Sequence, residues 1–262
     1  MTKIPIVRFQ LWIYDLIASL LSSVIFYTII PLPPRWTNNW SRIARWCPII
    51  GLLIGLLLAL VNILLGFCQM PNLTSKALIV AIWVAITGGL HLDGAMDTAD
   101  GLSVTDPLRQ LEVMKDSATG AFGAIAAIII LLLKTISLSD ISLPLWLVLI
   151  SAAGWARWGQ VWAIAFYPYL RKTGKGSFHQ ENLRSPQDIL LGLFVLVGCS
   201  GFWFTVASLS WLQVGVIILG NMAIAFLTGY WFNKQLGGHT GDTYGAVVEW
   251  SEALILCFLT VF

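Results

Sequence analysis

The sequence predicts an all-α, polytopic membrane protein of about seven or eight hydrophobic helical segments, forming one domain over residues 1–262. Three observations predict it. The composition is 58% hydrophobic and only 11% charged, with a mean hydropathy of +0.82, whereas soluble domains carry about 25% charged residues. The apolar residues gather into runs near the roughly 20 residues a helix needs to cross a hydrocarbon core about 30 Å thick. The thirteen tryptophans suit membrane–water interfaces, which favour amphipathic rings. The same composition excludes other classes. This much apolar surface cannot stay solvated as disorder, and a net charge of +2 offers no basic face for nucleic acid. Cys47, Cys68, Cys199 and Cys257 form no CxxC pair and read as small packing hydrophobes.

Taken in order, the first apolar run covers residues 11–30, is interrupted only by Asp15, and is stopped by the prolines from Pro31 to Pro34. The second, 49–67, has Gly51 and Gly55 spaced for close helix packing. The third, 77–92, is apolar for sixteen residues and then enters an acidic cluster. Segments near 118–133 and 145–166 follow, the latter carrying Arg157. Segments 189–209 and 214–232 are uncharged, and the last, 246–262, opens with Glu249 and Glu252. A re-entrant first or last segment would reduce eight crossings to seven. No removable signal peptide is expected, and the longest polar connection, about 168–188, is too short for a soluble domain. If all eight segments cross, the loops 31–48, 93–117, 168–188 and 233–245 share one side. That side carries ten basic residues against Lys3, Arg8, Lys76 and Lys134 on the other. The bias places that side in the cytoplasm.

Six of the thirteen carboxylates lie between Asp93 and Asp116, and Asp242, Glu249 and Glu252 lie near the C-terminus. The topology puts all nine at cytoplasmic helix ends or loops. Asp93, Asp97 and Asp100 are related as i, i+4 and i+7, within about 60° of one helix face. Three like charges so placed need an offset, and hard oxygen ligands suit Mg²⁺ or Mn²⁺. A solvated helix end and a cation-coupled transporter are the alternatives. Lys115 and Asp116 add a cation and a fourth carboxylate beside the triad. Thr173-Gly174-Lys175-Gly176 is a basic loop able to hold a phosphate through Lys175 and backbone N–H groups. The glycine-rich run from Gly237 to Gly245 opens the last helix. There Gly237, Gly238 and Thr240 would bind an anion and Asp242 a metal, unless the run is only a capped helix start. Arg157 either snorkels or pairs with the acidic site or a substrate phosphate. His91 falls opposite the aspartates and reads as a packing residue or a support behind the site, not a catalytic one; His239 is undecided, and His179 reads as a solvated loop residue. Carboxylates for a metal, basic loops and a membrane setting suggest transfer of a phosphate-linked group.

The strings GG-x-HLDG-xx-DT-x-DG (88–101), MKDS-xx-G (114–120) and GGHTGDT-x-GA (237–246) resemble the cobalamin synthases, the adenosylcobinamide-GDP ribazoletransferases of vitamin B12 assembly. The likeness runs over nearly the whole chain and takes in the proline turn before Arg35, Arg157 and the GKG loop. It implies a Mg²⁺-dependent inner-membrane enzyme with its site on the cytoplasmic side. Such an enzyme joins adenosylcobinamide-GDP to α-ribazole or its 5′-phosphate and releases GMP, amid membrane lipid. On this reading Asp93, Asp97, Asp100 and Asp116 hold the metal, and Lys115, Lys175 and Arg157 neutralise phosphate. Asp97-x-x-Asp100-Gly101 also matches the start of the CDP-alcohol phosphotransferase signature, although Ser103 to Thr105 replace its Ala-Arg and the downstream aspartates are missing. Phospholipid synthesis is therefore the second reading.

Overall fold

In lipid a chain must pair its backbone N–H and C=O groups with itself, and a helix does this within each segment. The computed structural model describes residues 3–171 and 175–262, with side chains at all of these except 3–12, 108 and 175. Among them the order is α1 (Lys3–Tyr27), α2 (Cys47–Phe67), α3 (Asn72–Ile86), α4 (Leu90–Leu102), α5 (Pro107–Val113) and α6 (Ala121–Asp140). Then come α7 (Leu145–Phe166), α8 (Lys175–Asn182), α9 (Gln187–Val206), α10 (Trp211–Leu236) and α11 (Gly241–Leu259). The polytopic all-α expectation holds.

The number of long apolar spans is smaller than predicted. Among the described residues four stretches are long and apolar enough to cross: Ile43–Phe67, which is α2 with the short turn before it, and α6, α9 and α10. The pair α3 and α4 makes a fifth if counted as one span, bent by 89° at the break. Within α1 the described side chains form an apolar helix over Ile13–Tyr27. It packs on the start of α2, where Ser19 Oγ donates to Ser41 O at 2.8 Å and Trp46 Nε1 donates to Ser19 Oγ at 3.2 Å. One physical reason for the smaller number is that α7 and α11 form the buried centre. Most of their residues face other helices, so they carry small and charged residues where an outer span carries aliphatic ones. The spacing of Gly51 and Gly55 is used as expected: a Cβ at either would lie within 2.5 Å of the α7 backbone.

That centre holds a four-charge cluster which corrects three expectations. Lys134 Nζ, on α6, donates to Glu249 Oε2 at 2.6 Å and to Glu252 Oε2 at 2.5 Å. Arg157 Nη1, on α7, donates to Glu252 Oε1 at 2.6 Å and to Ala153 O at 3.0 Å. All four residues are buried, and Lys134 also sits 4.7 Å from the ring centroid of Trp83. Glu249 and Glu252 are therefore interior ion-pair partners, not helix-end acids, and Lys134 is not a loop cation on the far side. Arg157 neither snorkels nor reaches the aspartate cluster. A lone charge is too costly to bury, so the two cations and two carboxylates are folded in together.

The loops expected to share one side do meet at one end of the bundle. Arg42 pairs with Asp188 at the start of α9, Arg171 donates to Met114 O at 3.4 Å and to Asp242 Oδ2 at 2.7 Å, and Tyr169 bridges to His239.

Candidate functional site

Gly88 and Gly89 have φ of +62° and +72°, a left-handed turn that glycine makes without strain. The turn ends α3 and sends α4 off at its sharp angle, beyond the apolar run. Next, α4 crosses the start of α11 at a distance only glycine allows, since a Cβ on Gly94 would lie 2.6 Å from the Asp242 carbonyl oxygen. The crossing brings Asp242 to the aspartate face of α4. Burial, and then the charges of Asp93, Asp242 and Asp100, push the Asp97 carboxyl up to about 7 against the pull of Arg171. Burial also raises Asp242, opposed by Arg171 and Thr240.

The predicted metal set is partly regrouped. Asp93 is exposed and Asp97 half-buried, so both stand open. Asp100 is buried, and its two oxygens accept the backbone N–H groups of Gly120 and Gly123, each at 2.8 Å. It therefore ties α4 to the start of α6, and a Cβ at either glycine would strike its carboxyl group. Asp116 is exposed and closes a local turn by accepting the Ala118 N–H; Asp242 takes the place expected of it in the cluster. Among the described residues no three His, Cys, Asp or Glu side chains already converge as a ligand set.

Of the predicted substrate contacts, Lys115 is exposed in the loop beside α4. Lys175 opens α8, but its side chain, like Thr173 and Gly174, lies outside the described residues. Gly176 packs on the Tyr169 ring. The glycine-rich run is mostly used by the chain itself. Gly237 is the left-handed C-cap of α10, and Gly238 passes the Pro168 carbonyl too closely for a side chain. Thr240 caps α11 in a capping box with Thr243. His239 is buried between Tyr167 and Tyr244 and bonds to Thr243 and Gly229. Of the run, Gly241, Asp242, Tyr244 and Gly245 line the cavity.

Between the aspartates and the bundle centre lies a cavity of about 260 Å³. Asp93, Asp242 and Arg171 stand along it, with Tyr27, His91, Gln160, Tyr169, His179 and Tyr244 among its walls. Arg171 Nη2 donates to Asp242 Oδ2 at 2.7 Å. In the sequence Arg171 stands out only as part of the basic bias, and its place before the GKG loop is the signal available. Tyr27, Gln160 and Tyr169 carried no signal. His179 is a correction: it is buried, and desolvation lowers it to about 4, because α8 folds its ring against Tyr27 and Phe26.

Fold and site together define an all-α membrane enzyme with carboxylates and an arginine around a cavity at one end of its helix bundle. The family model for Cobalamin-5-phosphate synthase matches residues 19–260. The chain belongs to that family. It is 56% identical over 246 residues to a protein named adenosylcobinamide-GDP ribazoletransferase from Trichormus variabilis, covering 94% of this chain and 98% of that one. A relative of the same name from Synechocystis sp. is 51% identical, over 92% of this chain and 93% of its own. No solved structure matches the chain. The family match leaves the phospholipid and transporter readings without support.

Proposed function

We propose that this protein transfers the cobinamide phosphate of adenosylcobinamide-GDP to a ribose hydroxyl of α-ribazole or its 5′-phosphate. The products are GMP and adenosylcobalamin or its 5′-phosphate. The observation that carries this reading is the 56% identity, over nearly the full length of both chains, to a relative with that name. In the reaction the hydroxyl oxygen attacks the cobinamide-side phosphorus, a phosphorus–oxygen bond forms, and the bond to GMP breaks. The hydroxyl proton needs an acceptor.

The residues around the cleft fit the Mg²⁺ that the family resemblance implies. The donors are all carboxylate oxygens; burial first, and then their mutual repulsion, raises Asp97, and a divalent cation would relieve the repulsion. Mg²⁺ is commonly held by one or two carboxylates together with substrate phosphates, so a complete protein cage is not required. Asp93 and Asp97 would hold it, with Asp100 fixing α4 against α6. Bound there, the ion would offset charge on the diphosphate. Arg171 supplies a cation for phosphate oxygens and orients Asp242. We assign the proton to Asp242, whose half-buried carboxyl is raised by desolvation and so better suited to accept it. We also place the cleft at the cytoplasmic face of the cell membrane, a reading supported by the basic loops gathered at that end.

The test is GMP release by the purified protein in detergent, given adenosylcobinamide-GDP and α-ribazole 5′-phosphate. Release with Mg²⁺ and none in chelator is expected. No GMP with both substrates and metal present, or CMP release from a CDP-alcohol, would overturn the reading. A cysteine at exposed Lys115 should label only from the cytoplasm.

A further inference from the structure

The acidic mouth of the cavity accounts for phosphate chemistry, but its deep end has no part in it. Several polar atoms there have no hydrogen-bond partner among the described residues: Tyr244 Oη, Gln160 Oε1, both ring nitrogens of His91, and His179 Nδ1. Each of these residues is at most 4% exposed and lines the cavity. Buried polar atoms are ordinarily paired, and several orphans around one empty volume mark a place where a ligand completes the pairing. The rings beside them are stacked in two groups. Tyr27 lies parallel to His91 and His179, with centroids 6.3 and 5.9 Å apart, and Tyr244 lies parallel to Tyr169 at 6.1 Å. Flat walls with a few polar atoms and no unpaired charge suit a flat, uncharged heteroaromatic ring.

We propose that this deep end is the subsite for the aromatic base of the acceptor nucleoside, with its ribose hydroxyl presented at the carboxylate mouth. The proposal rests on the transferase reading above and assigns a place to one of its two substrates. The competing occupant is the guanine of the donor. The benzimidazole-type base of α-ribazole exposes one acceptor nitrogen on an otherwise hydrocarbon ring, and the Tyr244 hydroxyl or a neutral His91 N–H can satisfy it. Guanine carries several donors and acceptors along its edges. Among the described residues the only side-chain atom at the deep end that is an acceptor alone and unpartnered is Gln160 Oε1. Guanine would leave buried edges unpaired, where the acceptor base would not.

The experiment has two arms on the full-length protein in detergent. The first needs no variant and no turnover: binding of α-ribazole, followed by its benzimidazole fluorescence, should be displaced by 5,6-dimethylbenzimidazole and not by guanosine. Displacement by guanosine instead would overturn the proposal. The second uses Tyr244→Phe, which keeps the ring and removes the hydroxyl able to donate to the base nitrogen. It should raise KM for α-ribazole about tenfold, the worth of one buried hydrogen bond, and leave KM for adenosylcobinamide-GDP unchanged. Unchanged KM for α-ribazole, or a rise confined to the donor, would refute the subsite while leaving the transferase reading intact. Absence of GMP release by the wild-type protein would remove that reading itself.

Discussion

Replacing Lys134 by methionine tests the charge cluster at the bundle centre. Methionine is similar in length and apolar, so the change removes charge with little loss of volume. Lys134 is the only cation bonded to Glu249 among the described residues, whereas Glu252 keeps Arg157. The variant therefore leaves one buried carboxylate uncompensated, a defect worth about 3–5 kcal/mol. Loss of the contact with the Trp83 ring, at 4.7 Å, adds roughly 0.5–2 kcal/mol. For a chain of this size 1 kcal/mol moves the melting temperature by about 2–4 °C, so Lys134→Met should fall by on the order of 10 °C. Adding Glu249→Gln removes the orphaned charge and leaves the Arg157–Glu252 pair intact. The double variant should recover about 2 kcal/mol relative to the sum of the two single changes. Thermal unfolding in detergent, read by size-exclusion chromatography with tryptophan fluorescence, measures all three. A Lys134→Met shift below about 1 kcal/mol, or a double variant no better than the sum, would refute the argument that these charges are interdependent.

Asp93→Asn and Asp97→Asn should each lose on the order of 10²-fold in turnover, with unchanged elution and melting, while Asp140→Asn on the exposed end of α6 is silent; normal turnover in saturating Mg²⁺ would end the carboxylate role. A protonated Asp97 cannot ligate, and its carboxyl stands at about 7. Divalent-ion affinity should therefore rise about tenfold between pH 6 and pH 8, and calorimetry should show the dependence vanish in Asp97→Asn. Gly94→Ala would set a methyl group 2.6 Å from the Asp242 carbonyl oxygen. It should part α4 from α11, cost about 1–3 kcal/mol and reduce turnover far more than Gly66→Ala, where a Cβ meets nothing within 4 Å.

The sequence by itself determined the class of fold, because composition and run length are properties of the chain and the bilayer fixes what such runs must do. It also determined the acidic helix, since three aspartates at i, i+4 and i+7 share a face wherever that helix goes. The motifs sufficed for the family. Partnership between elements was not written in any local pattern. Whether Asp116 or Asp242 joins the cluster depends on α11 crossing α4 at Gly94. Whether Asp100 ligates or caps depends on where α6 begins. Glu249 and Glu252 look like helix-end acids until α6 and α7 deliver Lys134 and Arg157 to them from 115 and 95 residues away. His179 looks like a loop residue until α8 folds it against Tyr27. In each case the energy lies in desolvated, short-range contacts between distant segments, and only the packed bundle decides which segments meet.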